Sequence, residues 1–156
     1  MANEQTDSAR ELHRKLAAEL FNETWELLER AERTPDDDDR MLDAAHASRY
    51  HWGIAGTVVN RARADWQLAR VNSVLGRLEA ARYHAQRCLE GCVVHAIGDF
   101  DLAFAHEAVA RAAALAGDHA TAARHIALGE QAAAGIAEEE DRRHFLDDLA
   151  SVPRPG

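Results

Sequence analysis

The sequence predicts an all-α protein of about seven helices, and three observations support this fold class. Leucines of the N-terminal segment recur at the spacing of one helix face: Leu12, Leu16, Leu20 and Leu27. No segment shows the sustained alternation of apolar and polar residues that is typical of a strand. A helix–turn–helix pattern also occurs twice at a constant offset, because Gly76 is followed 41 positions later by Gly117.

Composition restricts the class of protein further. At 156 residues the chain suits one domain, which we predict over residues 1–150, with a frayed tail at 151–156. The net charge of −9 argues against a nucleic-acid surface. No apolar run reaches the ~18 residues of a membrane span. The N-terminus has neither the basic nor the apolar segment of a secretion signal, so we expect a cytoplasmic protein.

Start and stop signals place the individual helices. Thr34 and Pro35 form a typical N-cap and first helical position, followed by four aspartates that complement the helix dipole. This acidic run lacks the alternating ligands and central glycine of a calcium loop. Asn60 and Asp99 are predicted N-caps of the third and fifth helices. With these caps included, the predicted helices span residues 6–33, 35–55, 60–75, 78–97, 99–116, 120–134 and 137–149.

Small residues recur at matched positions of the repeated segment, residues 62–132. The first copy contains Ala69, Gly76 and Ala81, and the second contains Ala110, Gly117 and Ala122. This pattern resembles the tetratricopeptide repeat, although its period exceeds the usual ~34 residues and the proline after the second helix is absent from both copies. The resemblance implies a right-handed array of antiparallel helical hairpins, with the last helix as a cap.

Helix 4 carries four possible metal ligands on one face: His84, Cys88, Cys92 and His95. They extend over ~16 Å of helix, so one ion could use only a neighbouring pair. The same face carries the apolar residues of the predicted core, and we interpret the cysteines as core residues. A Cys88/Cys92 pair completed by ligands from another helix is the alternative. His84 recurs as His125, which indicates a structural role near the hairpin turn.

The sequence contains no catalytic or cofactor motif. It lacks an HExxH helix, a nucleotide-binding loop and a Gly-x-Ser-x-Gly elbow. We therefore predict a non-catalytic protein without cofactor or resident metal. An enzyme would require a pocket that holds His46, His51 or His106 beside acidic residues, and such a pocket leaves no local motif.

The register of the resemblance predicts a partner-binding groove lined by helices 3 and 5. It places there Arg63, Trp66, Arg70, Phe104, Glu107 and Arg111. Arg63, Trp66 and Arg70 are spaced i, i+3 and i+7 and share one helix face. Two guanidinium groups beside an indole suit a carboxylate next to an apolar group, so we expect an acidic partner or a C-terminal carboxylate. Alternatively, the arginines pair with Asp65 or Glu107, and Trp66 belongs to the core.

Self-association is the second functional hypothesis. Trp25, Trp52 or the alanine-rich face of helix 6 would then form the seam of a homodimer. A scaffold for a protein or peptide partner remains the first prediction, and neither a nucleic acid nor a membrane is expected as a partner.

Overall fold

The computed structural model describes residues 1–155, and this part of the chain contains seven α-helices and no strand. The all-α prediction is confirmed. The helices are α1 (Ala2–Leu28), α2 (Pro35–Ala55), α3 (Val58–Val74), α4 (Leu78–Val94), α5 (Asp99–Leu115), α6 (His119–Ala133) and α7 (Glu139–Ala150).

The N-terminal signals of α2 act as the sequence predicts. The Thr34 hydroxyl accepts a hydrogen bond from the Asp37 backbone N–H at 3.1 Å, and the Asp37 carboxylate accepts one from the Thr34 N–H at 3.0 Å. Pro35 occupies the first turn. This reciprocal capping box satisfies two backbone donors that a helix otherwise leaves unpaired.

Two predicted N-caps are corrected by the structure. The N-cap of α3 is Thr57, and Asn60 is the third helical residue of its capping box. The Asn60 side chain accepts from the Thr57 N–H at 3.0 Å, so the predicted cap is the partner of the real one. The N-cap of α5 is Gly98, and Asp99 is the first helical residue.

Two helices end earlier than predicted. α1 ends at Leu28 instead of near Arg33, and it begins at Ala2, before the predicted start. α4 ends at Val94 because Ala96 adopts a left-handed conformation with φ 52°. The Ile97 N–H then bonds the Cys92 carbonyl at 2.9 Å, which closes the helix before the glycine that was expected to end it.

The turns after α3 and α5 have the same geometry. Gly76 and Gly117 have φ values of 71° and 79°, a backbone region that glycine enters without steric penalty. The next residue in each turn donates to a carbonyl five positions earlier, from Arg77 to Asn72 at 2.8 Å and from Asp118 to Ala113 at 2.9 Å. The 41-residue offset therefore relates two copies of a backbone structure as well as two similar sequences. The first and last residues of α5 lie 41 positions after those of α3.

Consecutive helices form the main packing units. α1, α3 and α5 each have their most extensive contacts with the following helix, and α4 also packs on α5. Much of the core is alanine, which permits close approach of helices. At Gly129 of α6 an added Cβ would lie 3.3 Å from the Phe145 ring and 3.4 Å from a Leu149 methyl, so a glycine lets α7 sit directly on α6.

The residues after α7 are not frayed throughout. Val152 is buried in the same apolar cluster as Ile136, Phe145 and Leu149. Gly156, the last residue of the predicted tail, lies outside the described residues. Within residues 1–155, every helix is too short or too polar to cross a bilayer.

Candidate functional site

An aromatic-lined cavity of about 450 Å³ lies between α1, α3, α5 and α7, with one residue of α4 at its wall. We call it the aromatic cavity. Its volume lies within the range of small-ligand and side-chain pockets in proteins. The lining residues are Phe21, Trp25, Ala62, Arg63, Trp66, Cys88, Phe100, Asp101, Phe104, Asp141 and His144.

Trp66 is the central ring of the cavity wall. Its ring centroid lies 5.3 Å from that of Trp25 and 5.5 Å from that of Phe104, which it meets edge to face. Phe100 extends the wall, with its centroid 4.5 Å from that of Phe104. Trp66 is only partly buried, so part of its ring is open to the cavity although it also packs on three apolar clusters. The rings hold each other in place and present a preformed apolar surface.

An ion pair stands at the polar side of the aromatic cavity. Arg63 donates two hydrogen bonds to Asp101, from Nε at 2.8 Å and from Nη2 at 3.1 Å. The hydrogen bond to the Asp101 carboxylate raises the pKa of Arg63. This two-bond geometry joins α3 to α5. It also occupies one edge of the guanidinium group that we expected, from the sequence, to bind a ligand.

Helix α7 supplies the remaining polar residues of the cavity. Asp141 and His144 are exposed, and the His144 ring lies 5.9 Å from that of Phe104, tilted by 38°. α7 therefore adds polar groups to a mouth whose inner walls are aromatic.

Three of the six predicted groove residues form a separate ionic cluster, which we call the Glu107 cluster. Arg111 donates to Glu107 Oε1 at 2.6 Å, and Arg70 lies 3.4 Å from the same oxygen. Burial raises the pKa of Glu107, and the two guanidinium groups oppose that rise. Arg111 also donates to the Asp148 carbonyl at 3.1 Å and to the Ser151 hydroxyl at 2.7 Å. These residues join α3, α5 and the end of α7.

The structure thus divides the predicted groove residues into two groups. Arg63, Trp66 and Phe104 line the aromatic cavity, whereas Arg70, Glu107 and Arg111 belong to the Glu107 cluster. The pairing of Arg70 with Glu107 matches the alternative interpretation for that arginine. Arg63 pairs with Asp101, an acid that the sequence interpretation did not consider as its partner.

Only three of the eleven residues that line the cavity were assigned to the groove from the sequence: Arg63, Trp66 and Phe104. Phe100, Asp101, Asp141 and His144 come from α5 and α7, and no local pattern links them to Trp66. Trp25 had a usable signal, because it precedes Trp66 by the same 41 positions that relate the two repeat copies. Its ring packs against Trp66 in the cavity wall instead of standing alone on an outer face.

A second buried carboxylate lies between α2, α3 and α4. Asp65 accepts two hydrogen bonds from Arg49, at 2.8 and 3.3 Å, and its Oδ1 lies 3.0 Å from Nδ1 of His84. Burial alone would raise the pKa of Asp65, but the His84 and Arg49 hydrogen bonds outweigh burial and lower it. The positions 41 residues later hold His106 and His125, whose Nδ1 atoms lie 3.1 Å apart.

The two cysteines are buried free thiols, as the core interpretation expects. The hydrogen bond with Cys92 and burial both raise the pKa of the Cys88 thiol, so it remains protonated and forms an uncharged part of the cavity wall. In the described residues, no three side chains of His, Cys, Asp or Glu are arranged to hold a metal ion.

Comparisons with protein-family models, with curated proteins and with solved structures return no match to this chain. The class of protein that its own geometry defines is an all-α protein with an aromatic cavity beside internally paired charges.

Proposed function

We propose that the chain is a non-catalytic binding module that holds a peptide segment of a partner protein in the aromatic cavity. The observation that carries this proposal is the preformed wall of five aromatic rings: Phe21, Trp25, Trp66, Phe100 and Phe104. Aromatic side chains in desolvated pockets dominate the binding energy of many interfaces. A volume of about 450 Å³ suits one or two anchoring side chains of a peptide.

A tetratricopeptide-like stacking of helical hairpins is part of this proposal. It is supported by the 41-residue offset between α3 and α5, by the matched turns at Gly76 and Gly117, and by the pairing of consecutive helices. In such an array the first helices of successive hairpins form one inner face. The cavity is lined mainly from α1, α3, α5 and α7, which is the set of helices that this stacking would bring together.

Two of the polar groups in the cavity wall are poorly placed for catalysis. Arg63 and Asp101 neutralise each other through two hydrogen bonds, and the Cys88 thiol is protonated. A nucleophile or general base needs a free, suitably tuned group close to the reacting atom. The free thiols Cys88 and Cys92 favour a reducing compartment, and we propose the cytoplasm on that ground.

A peptide selection tests the proposal. Random peptides displayed on phage would be selected on the intact chain. The affinities of the selected peptides would then be measured for the intact chain, for Trp66→Ala and for Trp52→Ala. Trp52→Ala is the matched control, because this tryptophan lies outside the cavity. We expect Trp66→Ala to lose at least about tenfold in affinity, as aromatic anchors of interfaces do, while the control binds as the unmodified chain does.

A second variant separates a binding defect from a folding defect. Phe100→Ala removes a half-buried ring of the cavity wall, and circular dichroism would confirm that both variants remain helical. Equal binding by the intact chain and both cavity variants would overturn the proposal.

Self-association is the alternative function, and one observation favours it. Val93 and Val94 at the end of α4 are 67% and 74% exposed, which leaves two adjacent apolar side chains uncovered. Light scattering after size-exclusion chromatography at several concentrations would distinguish the two functions. A monomer at all concentrations would exclude self-association, and a dimer that dissociates with Val93→Asp would support it.

A further inference from the structure

The mouth of the aromatic cavity carries a carboxylate that no ion pair of the described residues neutralises. Asp141 lines the cavity, is exposed and has no ion-pair partner among residues 1–155. It follows three exposed glutamates at the start of α7, Glu138, Glu139 and Glu140. Of these, Glu139 has one loose contact with Arg143, at 3.7 Å between two highly exposed side chains. A cation approaching the mouth would therefore meet a favourable potential.

The positive groups expected to attract an acidic ligand are already engaged. Arg63 is held by two hydrogen bonds to Asp101, and Arg70 lies against Glu107 and Asp148. An incoming carboxylate could use the remaining N–H groups of Arg63, but Asp101 already neutralises that charge, and the ligand would share the cavity with the Asp101 and Asp141 carboxylates. The charge balance of the cavity thus favours the opposite sign of ligand from the one that the sequence suggested.

The aromatic rings add a second attraction for a cation. The face of an indole or phenyl ring carries partial negative charge and attracts a guanidinium or ammonium group. An arginine side chain combines an apolar stem, which suits the cavity wall, with a planar head that stacks on aromatic rings and pairs with carboxylates. The rings and Asp141 line the same cavity, so one side chain can contact both.

We infer that the anchor of the bound segment is an arginine side chain flanked by apolar residues. Its stem lies against Trp66 and Phe104, and its guanidinium group reaches Asp141 at the mouth. This inference rests on the proposed function and specifies the chemistry of the partner segment.

Three matched peptides test the inference. They are acetylated pentapeptide amides of sequence Ala-Leu-Xaa-Leu-Ala, in which Xaa is arginine, citrulline or glutamate. Citrulline keeps the shape of arginine without its charge. Binding to the full chain would be followed by NMR through the indole N–H signals of Trp25 and Trp66, with Trp52 as the internal control outside the cavity. We expect the arginine peptide to bind about tenfold more tightly than the citrulline peptide.

Two variants of α7 locate the charge effect. Asp141→Asn should reduce the ratio of the arginine-peptide affinity to the citrulline-peptide affinity to about twofold, because it removes the carboxylate and keeps the aromatic rings. Asp147→Asn makes the same change at an exposed residue of α7 outside the cavity lining and should leave the ratio unchanged. A higher salt concentration should reduce this affinity ratio in the unmodified chain, because salt screens the attraction between the arginine and Asp141.

Equal binding of the arginine and citrulline peptides, or tightest binding of the glutamate peptide, would overturn the inference and leave the binding module standing. An unchanged arginine-to-citrulline ratio in Asp141→Asn would also overturn it. Failure of all three peptides to shift the cavity indole signals would count against both the inference and the proposed function.

Discussion

Asp65 and Glu107 are two buried carboxylates with opposite electrostatic outcomes. Asp65 is 4% exposed and Glu107 is 1% exposed, and each is bound by two basic side chains. The pKa of Asp65 is nevertheless lowered, whereas the pKa of Glu107 is raised. Burial disfavours the charged form at both sites, so the difference must come from how well the hydrogen bonds compensate for it.

The geometry of the donors explains this difference. Arg49 and His84 together reach both oxygens of Asp65, at 2.8, 3.3 and 3.0 Å. At Glu107 the bonds from Arg111 and Arg70 both go to Oε1, and the nearby Asp148 carboxylate further disfavours a second negative charge. The charge state of a buried carboxylate in this protein thus depends on whether its internal donors reach both of its oxygens.

The largest expected effect concerns the Glu107 cluster. Arg111→Met removes the shortest bond to Glu107 and leaves only the Arg70 contact at 3.4 Å. We expect the free energy of unfolding to fall by about 3 kcal/mol, because a buried charge loses its main partner. Urea unfolding followed by circular dichroism would measure it, and a loss below about 1 kcal/mol would contradict the structural role of the cluster.

The same change at the Asp65 site should have a smaller effect. Arg49 is 30% exposed as a side chain, and His84 would still donate to Asp65 after Arg49→Met. We expect a loss of about 1.5 kcal/mol, the typical value of a hydrogen bond to a charged group. A greater loss of unfolding free energy in Arg49→Met than in Arg111→Met would contradict the predicted difference between the two carboxylate sites.

The histidine pair of the second repeat provides a test by pH. Burial lowers the pKa of both His106 and His125. The unfolded chain therefore binds protons before the folded chain as pH falls below about 6.5, and stability should decrease between pH 7.5 and pH 5.5.

Introducing the carboxylate of the first repeat should reduce this pH dependence. His106→Asp gives His125 an acidic neighbour, as Asp65 is to His84, and should raise the pKa of His125. The new ion pair would stabilise the folded chain at pH values below the pKa of His125 in the unfolded chain. This stabilisation would be lost as the pH rises through the pKa of His125 in the folded chain. We expect the stability difference between pH 7.5 and pH 5.5 to shrink by about 0.5–1 kcal/mol. His106→Asn is the neutral control, and an equal change in both variants would exclude a charge effect.

The helices themselves follow from sequence signals because those signals are local. Thr34 and Pro35 mark the start of α2, and Gly76 and Gly117 mark turns that need a positive φ. The end of α4 was not predictable in the same way, because Ala96 adopts a left-handed conformation without a glycine to signal it. Thr57 and Asn60 both suit an N-cap, and local sequence does not decide which of them caps α3.

The site was predictable only where the repeat register carried it. Trp66 and Phe104, which the register assigns to a binding groove, line the aromatic cavity, and Trp25 would have followed from the same offset. The partners of Arg63 and Arg70 depend on distances between helices, which spacing along one helix cannot give. Asp141 lines the cavity from α7, far along the chain from Trp66. The sign of the charge at the cavity mouth could therefore not be predicted from the sequence.

We propose that the aromatic cavity binds a partner segment while the Glu107 cluster holds the helices together. The most direct test is the affinity of Arg70→Gln for the arginine pentapeptide, measured through the Trp25 and Trp66 indole signals. We predict an affinity within about twofold of the unmodified chain, as for residues outside an interface hot spot, together with a lower urea midpoint. A loss of about tenfold in a folded Arg70→Gln chain would argue against this division of roles, because Arg70 would then contact the ligand itself.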